Sequence, residues 1–388
     1  MYERLLSKPL QGSHSFFLFG PRGTGKTSWL KSKIPDGVYI DLLNQDMFFT
    51  LLCHPHKIEE MIPKDFTGWI IIDEVQKIPD LLNEVHRMIE SYRYKFILTG
   101  SSARTLKRKG TNLLAGRALY YKMFPLTAVE LGSHFQLEKS LKMGQLPTVH
   151  SQSVNHEDYL HAYIQIYLKE EVMQEGLTRN AGAFARFLQT ASFSQGSLLN
   201  VTEVSREAAI ERKTVEDYFQ ILEDLLLATR IPVFTKKAKR KTVTHQKFYY
   251  FDVGVYRALR PMGPFDTPEE AEGPALESLV FQELQAINSY FDLKYDVYFW
   301  RTVDGLEIDF ILYGVKGLIA IEVKRSKKIS ADDLKGLKAF QSDYPVVKSY
   351  IFYGGSQTLY FDGIEAIPMA QALKSLPELL DPSLKKEF

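Results

Sequence analysis

The 388-residue chain has a single cysteine, Cys53, which excludes an intrachain disulfide and a cysteine-ligated zinc site. A reducing compartment fits that usage. Net charge is also scarce: 48 Lys and Arg stand against 47 Asp and Glu, so a balance of +1 gives no global pull on nucleic acid, and any basic surface must be local. No hydrophobic run approaches the length of a membrane span, and the opening Met1-Tyr2-Glu3-Arg4-Leu5-Leu6 lacks the apolar core of a signal peptide, so a cytoplasmic protein is expected. Internal repeats and low-complexity tracts are missing, which argues against solenoids and linker-rich chains. What is present is an ordinary globular composition, 45% hydrophobic and 24% charged, with enough length for two or three domains that each bury a core.

Against that background Gly20-Pro21-Arg22-Gly23-Thr24-Gly25-Lys26-Thr27 stands out as G-x-x-x-x-G-K-[ST]. It follows the apolar run Ser15-Phe16-Phe17-Leu18-Phe19 and precedes a helix-compatible segment. A strand thus delivers the chain to a glycine-rich turn whose backbone N–H groups can wrap phosphates, with the positive end of the next helix behind them. In that reading Gly20 to Gly25 form the cradle, Lys26 reaches the β- and γ-phosphates, and the Thr27 hydroxyl ligates Mg²⁺.

The partner element is Trp69-Ile70-Ile71-Ile72-Asp73-Glu74, a buried parallel strand ending in two carboxylates. Asp73 is expected to hold Mg²⁺, directly or through its ligands, and Glu74 to polarise the attacking water. Alone, the acid pair would read as a strand end meeting solvent. Strands are predicted at Ser15–Phe19, Val38–Asp41, Trp69–Asp73, Tyr94–Leu98 and Ala118–Met123, alternating with helices, the pattern of a parallel sheet covered on both faces. The fourth ends in Thr99-Gly100-Ser101-Ser102, where Thr99, ahead of Ser101, could sense the γ-phosphate; the same residues are also good turn formers.

Phosphate loop, Asp-Glu strand, Thr-Gly-Ser-Ser strand end and Gly116-Arg117 before a last strand running into Phe124-Pro125-Leu126 together resemble an AAA+ ATPase domain. More specifically, the chain is similar over nearly its whole length to the archaeal-ATPase-like AAA proteins that carry a C-terminal domain of unknown function. The resemblance implies an α/β P-loop AAA+ core over 1–132, with ATP and Mg²⁺ as cofactors. It also implies a homo-oligomer in which Arg117 reaches the neighbouring subunit's nucleotide. A surface arginine paired with a carboxylate is the alternative for Arg117.

Residues 133–199 show only helix-packing stripes, Tyr159, Tyr163 and Ile166, then Phe184, Phe187 and Leu188, and are expected to form a helical subdomain. Over 200–258 a short helix, a turn, a longer helix and two β-type runs predict a winged helix. Its basic wing carries Lys236, Lys237, Lys239, Arg240 and Lys241. Glu216, Asp217, Glu223 and Asp224 on the longer helix would repel phosphates, so sequence-specific reading, and with it a transcription regulator, is disfavoured. The wing is expected to contact DNA phosphates without reading sequence.

The last domain, 259–388, is expected to begin its fold at Gly273-Pro274, with a helix through Glu277, Leu279, Val280, Leu284 and Ile287. Strand alternation puts Glu322 and Lys324 on one face of Ile319-Ala320-Ile321-Glu322-Val323-Lys324, and a hairpin could bring Asp309 beside them. Two carboxylates could hold Mg²⁺ or Mn²⁺ while the lysine stabilises charge near a scissile phosphate. This is similar to the PD-(D/E)XK nuclease core, and the resemblance makes Glu277 the acid of its first helix. Ile308 stands where many members have proline, and Glu-x-Lys is common on wet strand faces. Two functions follow: an ATP- and Mg²⁺-dependent DNA-processing ATPase with a cutting C-terminal domain, or a nucleotide-dependent switch gripping DNA or protein with a non-cutting one.

Overall fold

The computed structural model describes the chain except residues 1, 102–103, 105, 107–113, 115, 152–154, 169–179, 265 and 387–388. Ser102 of the strand-end motif lies outside the described residues. The chain divides into two compact units, one of Arg4–Phe124 with Asp224–Leu227, the other of Met1–Glu3, Pro125–Glu223 and Ala228–Phe388.

The first unit is built on a five-stranded sheet in the order β2-β3-β4-β1-β5, with β1 Ser15–Phe19, β2 Val38–Asp41, β3 Trp69–Asp73, β4 Lys95–Gly100 and β5 Ala118–Lys122. All four neighbour pairs are parallel, as the strand–helix alternation requires. Phe16, Phe17 and Leu18 are fully buried in β1, as are Ile70 and Ile72 in β3. Each such side chain contributes roughly 1.5–3 kcal/mol of transfer free energy, enough to fix these unbroken apolar runs at the centre of the sheet. The predicted helix after Asp80 runs over Leu81–Tyr92 and buries Leu81, Leu82, Val85 and Met88 along one face. Because β4 lies between β1 and β3, the phosphate loop and Asp73 are one strand apart, and the tip of β4 falls between them.

The second unit contains helices Ala181–Ser192, Val201–Ala208 and Arg212–Asp224, the last residue of which belongs to the first unit. An antiparallel ribbon follows, β6 Ala228–Ile231 with β7 Lys247–Tyr250. Next come the helix Pro268–Tyr290 and a six-stranded sheet in the order β12-β13-β11-β10-β9-β8. Its strands are β8 Asp296–Arg301, β9 Glu307–Gly314, β10 Gly317–Lys324, β11 Lys348–Tyr353, β12 Leu359–Phe361 and β13 Ile364–Pro368. The start expected at Gly273-Pro274 lies earlier: the helix already begins at Pro268, and Pro274 sits inside it. Proline there removes one intrahelical bond, but Leu279, Val280, Leu284 and Ile287 are all fully buried, and that packing carries the helix through.

Strict alternation fails at one place in β9. Tyr298 pairs with Ile311 and Trp300 with Ile308, so Asp309 and Phe310 stand opposite the single residue Phe299, a β-bulge. Elsewhere in this unit the carboxylate of Glu283 is buried against the start of the Ala128–Leu131 helix, accepting from the Ala128 N–H at 2.7 Å and from Gln145 Nε2 at 2.9 Å. Burial pushes its pKa up to about 8.

Candidate functional site

In the first unit, β1 ends in a loop that only glycine can complete. Gly23 and Gly25 have φ of +83° and +92°, in the left-handed region that side chains disfavour. A Cβ on Gly20 would lie 2.3 Å from the carbonyl oxygen of Met123. The helix Lys26–Lys33 starts immediately after, so its free N–H groups face the loop. Lys26 is buried and its Nζ donates to the carbonyls of Gly20 at 2.6 Å and Pro21 at 3.2 Å, which holds the ammonium over the loop. Thr24 also closes on Pro21, its Oγ1 donating to that carbonyl at 2.9 Å, and Arg22 is exposed at the loop's tip.

Asp73 is buried and ringed by hydroxyls. Thr27 Oγ1 donates to its Oδ2 at 2.9 Å, Tyr39 donates to the same oxygen, and Thr99 donates to Oδ1. The Tyr39 phenol is pushed above its ordinary range by burial and by the Asp73 carboxylate. Thr99 Oγ1 also accepts from the Glu74 backbone N–H at 3.3 Å, so one side chain at the tip of β4 ties the Asp73 carboxylate to the main chain of Glu74. Glu74 itself has a left-handed backbone, φ +62°, and its carboxylate accepts from Gln76 Nε2. The strand thus ends in a turn at the second acid. The residues fit a nucleotide with a divalent cation: the loop supplies N–H donors and an ammonium, and Thr27 with Asp73 supplies the oxygen donors a hard cation takes.

Two residues of this site carried no signal in the sequence. Arg4 is 8% exposed, and its guanidinium donates to the carbonyls of Thr24 at 2.8 Å and Phe124 at 2.6 Å, bracing the loop from behind. Tyr39 holds Asp73 from β2. Arg117 lies on the surface and pairs with Glu90, whose carboxyl is held low by that hydrogen bond.

In the second unit, two of the residues expected to form a metal site, Glu277 and Asp309, meet with Glu307 around a cation that the sequence did not suggest. Lys247, from β7, is 3% exposed. Its Nζ lies 2.7 Å from Glu307, 3.2 Å from Asp309 and 3.4 Å from Glu277. Burial opposes the charge, but the surrounding anions outweigh it and hold the lysine well above its ordinary range. Each of these three acids also has a second partner. The β9–β10 ladder ends at Ile321↔Phe310, and Asp309 Oδ2 accepts the next free N–H, that of Val323, at 2.9 Å while Oδ1 faces Lys247. Glu277 Oε2 also accepts from Tyr249 at 3.1 Å, and Glu307 pairs with Arg301 at 3.1 Å. As the alternation predicts, Glu322 and Lys324 share a face, 2.7 Å apart. Burial and the nearby Asp309 push the Glu322 carboxyl up, and its Oε2 has no hydrogen-bond partner among the described residues. The cluster does not fit the divalent metal expected at Asp309 and Glu322: an ammonium is inserted among the acids, and among the described residues no group of three or more His, Cys, Asp or Glu is arranged to hold a metal.

The basic segment between β6 and β7 is partly spent on its own unit. Lys236 lies 4.1 Å from the centre of the Tyr313 ring, and Arg240 pairs with Asp343 at 2.7 Å. Lys237, Lys239 and Lys241 are exposed. Bridges Val233↔Phe299 and Thr242↔Thr302 pin the segment to β8 and the turn after it.

The chain is similar to an uncharacterized protein of Mycobacterium tuberculosis, 26% identical over 97% of this chain and 85% of the relative. It is similar also to an uncharacterized protein of Methanocaldococcus jannaschii, 22% identical over 84% of this chain and 79% of that one. Among solved structures, it is similar to the Aeropyrum pernix Orc1 protein in complex with DNA, at 14% identity over 66% of this chain and 89% of that one, with a TM-score of 0.23. Among the described residues no helix is long and apolar enough to cross a membrane. Residues 134–266 match a domain of unknown function. The phosphate-loop segment, 13–132, matches an AAA domain, and residues 272–372 match a further domain of unknown function.

Proposed function

We propose that the protein is a Mg²⁺-dependent ATPase whose nucleotide state governs a grip on DNA, with no cutting of the strand by its C-terminal unit. The observation that carries the nucleotide half is the Asp73 carboxylate held by Thr27, Tyr39 and Thr99 beside the phosphate loop. Mg²⁺, when bound, would neutralise charge on the phosphates. Loop N–H groups and Lys26 would bind them, Thr27 and Asp73 would hold the ion, and Glu74 would orient water and take up its proton. Thr99 ties the Asp73 carboxylate to the Glu74 main chain.

The DNA half rests on Lys237, Lys239 and Lys241, exposed on the segment between the ribbon strands, where they could neutralise phosphates without reading bases. Arg117 fits a charge-stabilising role toward a neighbouring subunit if it exchanges Glu90 for phosphate. The cutting alternative is disfavoured by Lys247 among the acids that would have held the metal.

One experiment addresses both halves. Calorimetry with ATP and Mg²⁺ is run beside DNA titrations at several salt concentrations. Wild type should bind nucleotide and change its DNA affinity on doing so. Lys26→Ala should lose nucleotide binding and that change together. Replacing Lys237, Lys239 and Lys241 by alanine should weaken DNA uniformly and reduce the salt slope by about 3. Unaltered ATP uptake by Lys26→Ala would remove the nucleotide half, and an unchanged slope would remove the DNA half.

A further inference from the structure

We propose that Lys247 is the resident cation of the acidic cluster in the C-terminal unit, so that the cluster works as an internal clasp closed to metal, and that removing the ammonium uncovers a divalent-cation site. The elements involved are distant in the chain: Lys247 comes from the ribbon, Glu277 from the Pro268–Tyr290 helix, Glu307 and Asp309 from β9, and Glu322 from β10. Three carboxylates converge on one side chain that is 3% exposed, at 2.7, 3.2 and 3.4 Å. These are ion-pair distances. A Mg²⁺ or Mn²⁺ ion needs oxygens at about 2.1 Å, so the acids as placed are spaced for an ammonium.

A second, independent feature points to a cation. Glu322 is 8% exposed, and its Oε2 has no hydrogen-bond partner among the described residues. A buried carboxylate oxygen without a donor is costly, and it lies in a cluster already rich in negative charge. Lys324 neutralises the other oxygen, so the pair resembles half of a metal site whose remaining half has been taken over by Lys247. The bulge at Asp309-Phe310 completes the arrangement by turning Asp309 so that one oxygen caps the Val323 N–H and the other meets Lys247.

The clasp joins the ribbon to the sheet through buried charge. An ammonium in this position is permanent, where a metal would come and go with its concentration. The C-terminal unit therefore keeps one shape whether or not divalent ions are present.

The test uses the full chain without nucleotide and Mn²⁺ alone as the probe, with binding read by electron paramagnetic resonance and stability by thermal melting. Wild type should show no Mn²⁺ site that depends on Asp309. Lys247→Ala should gain one such site per chain, with a melting temperature raised by Mn²⁺, and Lys247→Ala with Asp309→Asn should lose it again. Wild-type Mn²⁺ binding that disappears in Asp309→Asn overturns the proposal, as does a folded Lys247→Ala chain that gains no site. If Lys247→Ala does not fold, the wild-type and Asp309→Asn titrations decide the matter. Nucleotide binding through Lys26 is measured separately, so failure of either idea leaves the other standing.

Discussion

The two carboxylate sites of this molecule differ in what surrounds the acid. Asp73 in the first unit is met by three hydroxyls, from Thr27, Tyr39 and Thr99, all neutral donors. Asp309 in the second is met by an ammonium and a backbone N–H. Neutral donors orient a carboxylate and leave its charge available; a buried cation consumes the charge and converts the acid into structure. Buried strand carboxylates can therefore serve opposite purposes, and the neighbours decide which.

The sharpest way to break this contrast is to neutralise each acid in turn. Asp73→Asn should lower ATP hydrolysis by roughly 100-fold while leaving the melting temperature nearly unchanged. Asp309→Asn should do the reverse, destabilising the chain by about 3 kcal/mol because Lys247 loses a buried partner, with ATP turnover retained. If both variants fail in the same assay, the two sites do not differ as described.

A smaller effect is expected from Arg4→Met, which removes the brace on Thr24 and Phe124. Loss of two charged hydrogen bonds at buried carbonyls should cost about 2 kcal/mol and weaken nucleotide binding several-fold. An unchanged melting curve would show that the loop needs no such support.

A further contrast concerns pH. Glu283 has its pKa raised to about 8 by burial, so the folded chain keeps a proton that the unfolded chain releases near the ordinary carboxylate value of 4.5. Its contribution is fully present below that value and is lost as pH rises toward about 8. Glu283→Gln, which keeps an acceptor for Ala128 N–H, should flatten stability between pH 5 and 8, as read by denaturant melts.

The N-terminal sheet was legible because its signals are local. Unbroken apolar runs mark β1 and β3, and the strands at Ser15–Phe19, Val38–Asp41 and Trp69–Asp73 fall where the pattern puts them. The glycine-rich loop and the Asp-Glu pair are contiguous, so spacing alone suffices. Arg4, Tyr39 and Lys247 were not legible, since their partners lie 20 to 120 residues away and nothing near them marks the contact. In the C-terminal unit Glu322 and Lys324 followed from alternation, but the bulge at Asp309 breaks the period on which that reasoning rests. Pro274 misled for the opposite reason, a strong local punctuation mark overruled by tertiary packing.

Gly20 offers a caution for anyone who surveys the loop by substitution. Its backbone is ordinary, unlike that of Gly23 and Gly25, yet the Met123 carbonyl presses so close that even a methyl group is refused. An alanine there would wedge β1 apart from the chain leaving β5, and the inactive product would look like evidence about ligand recognition when it reported only a collision.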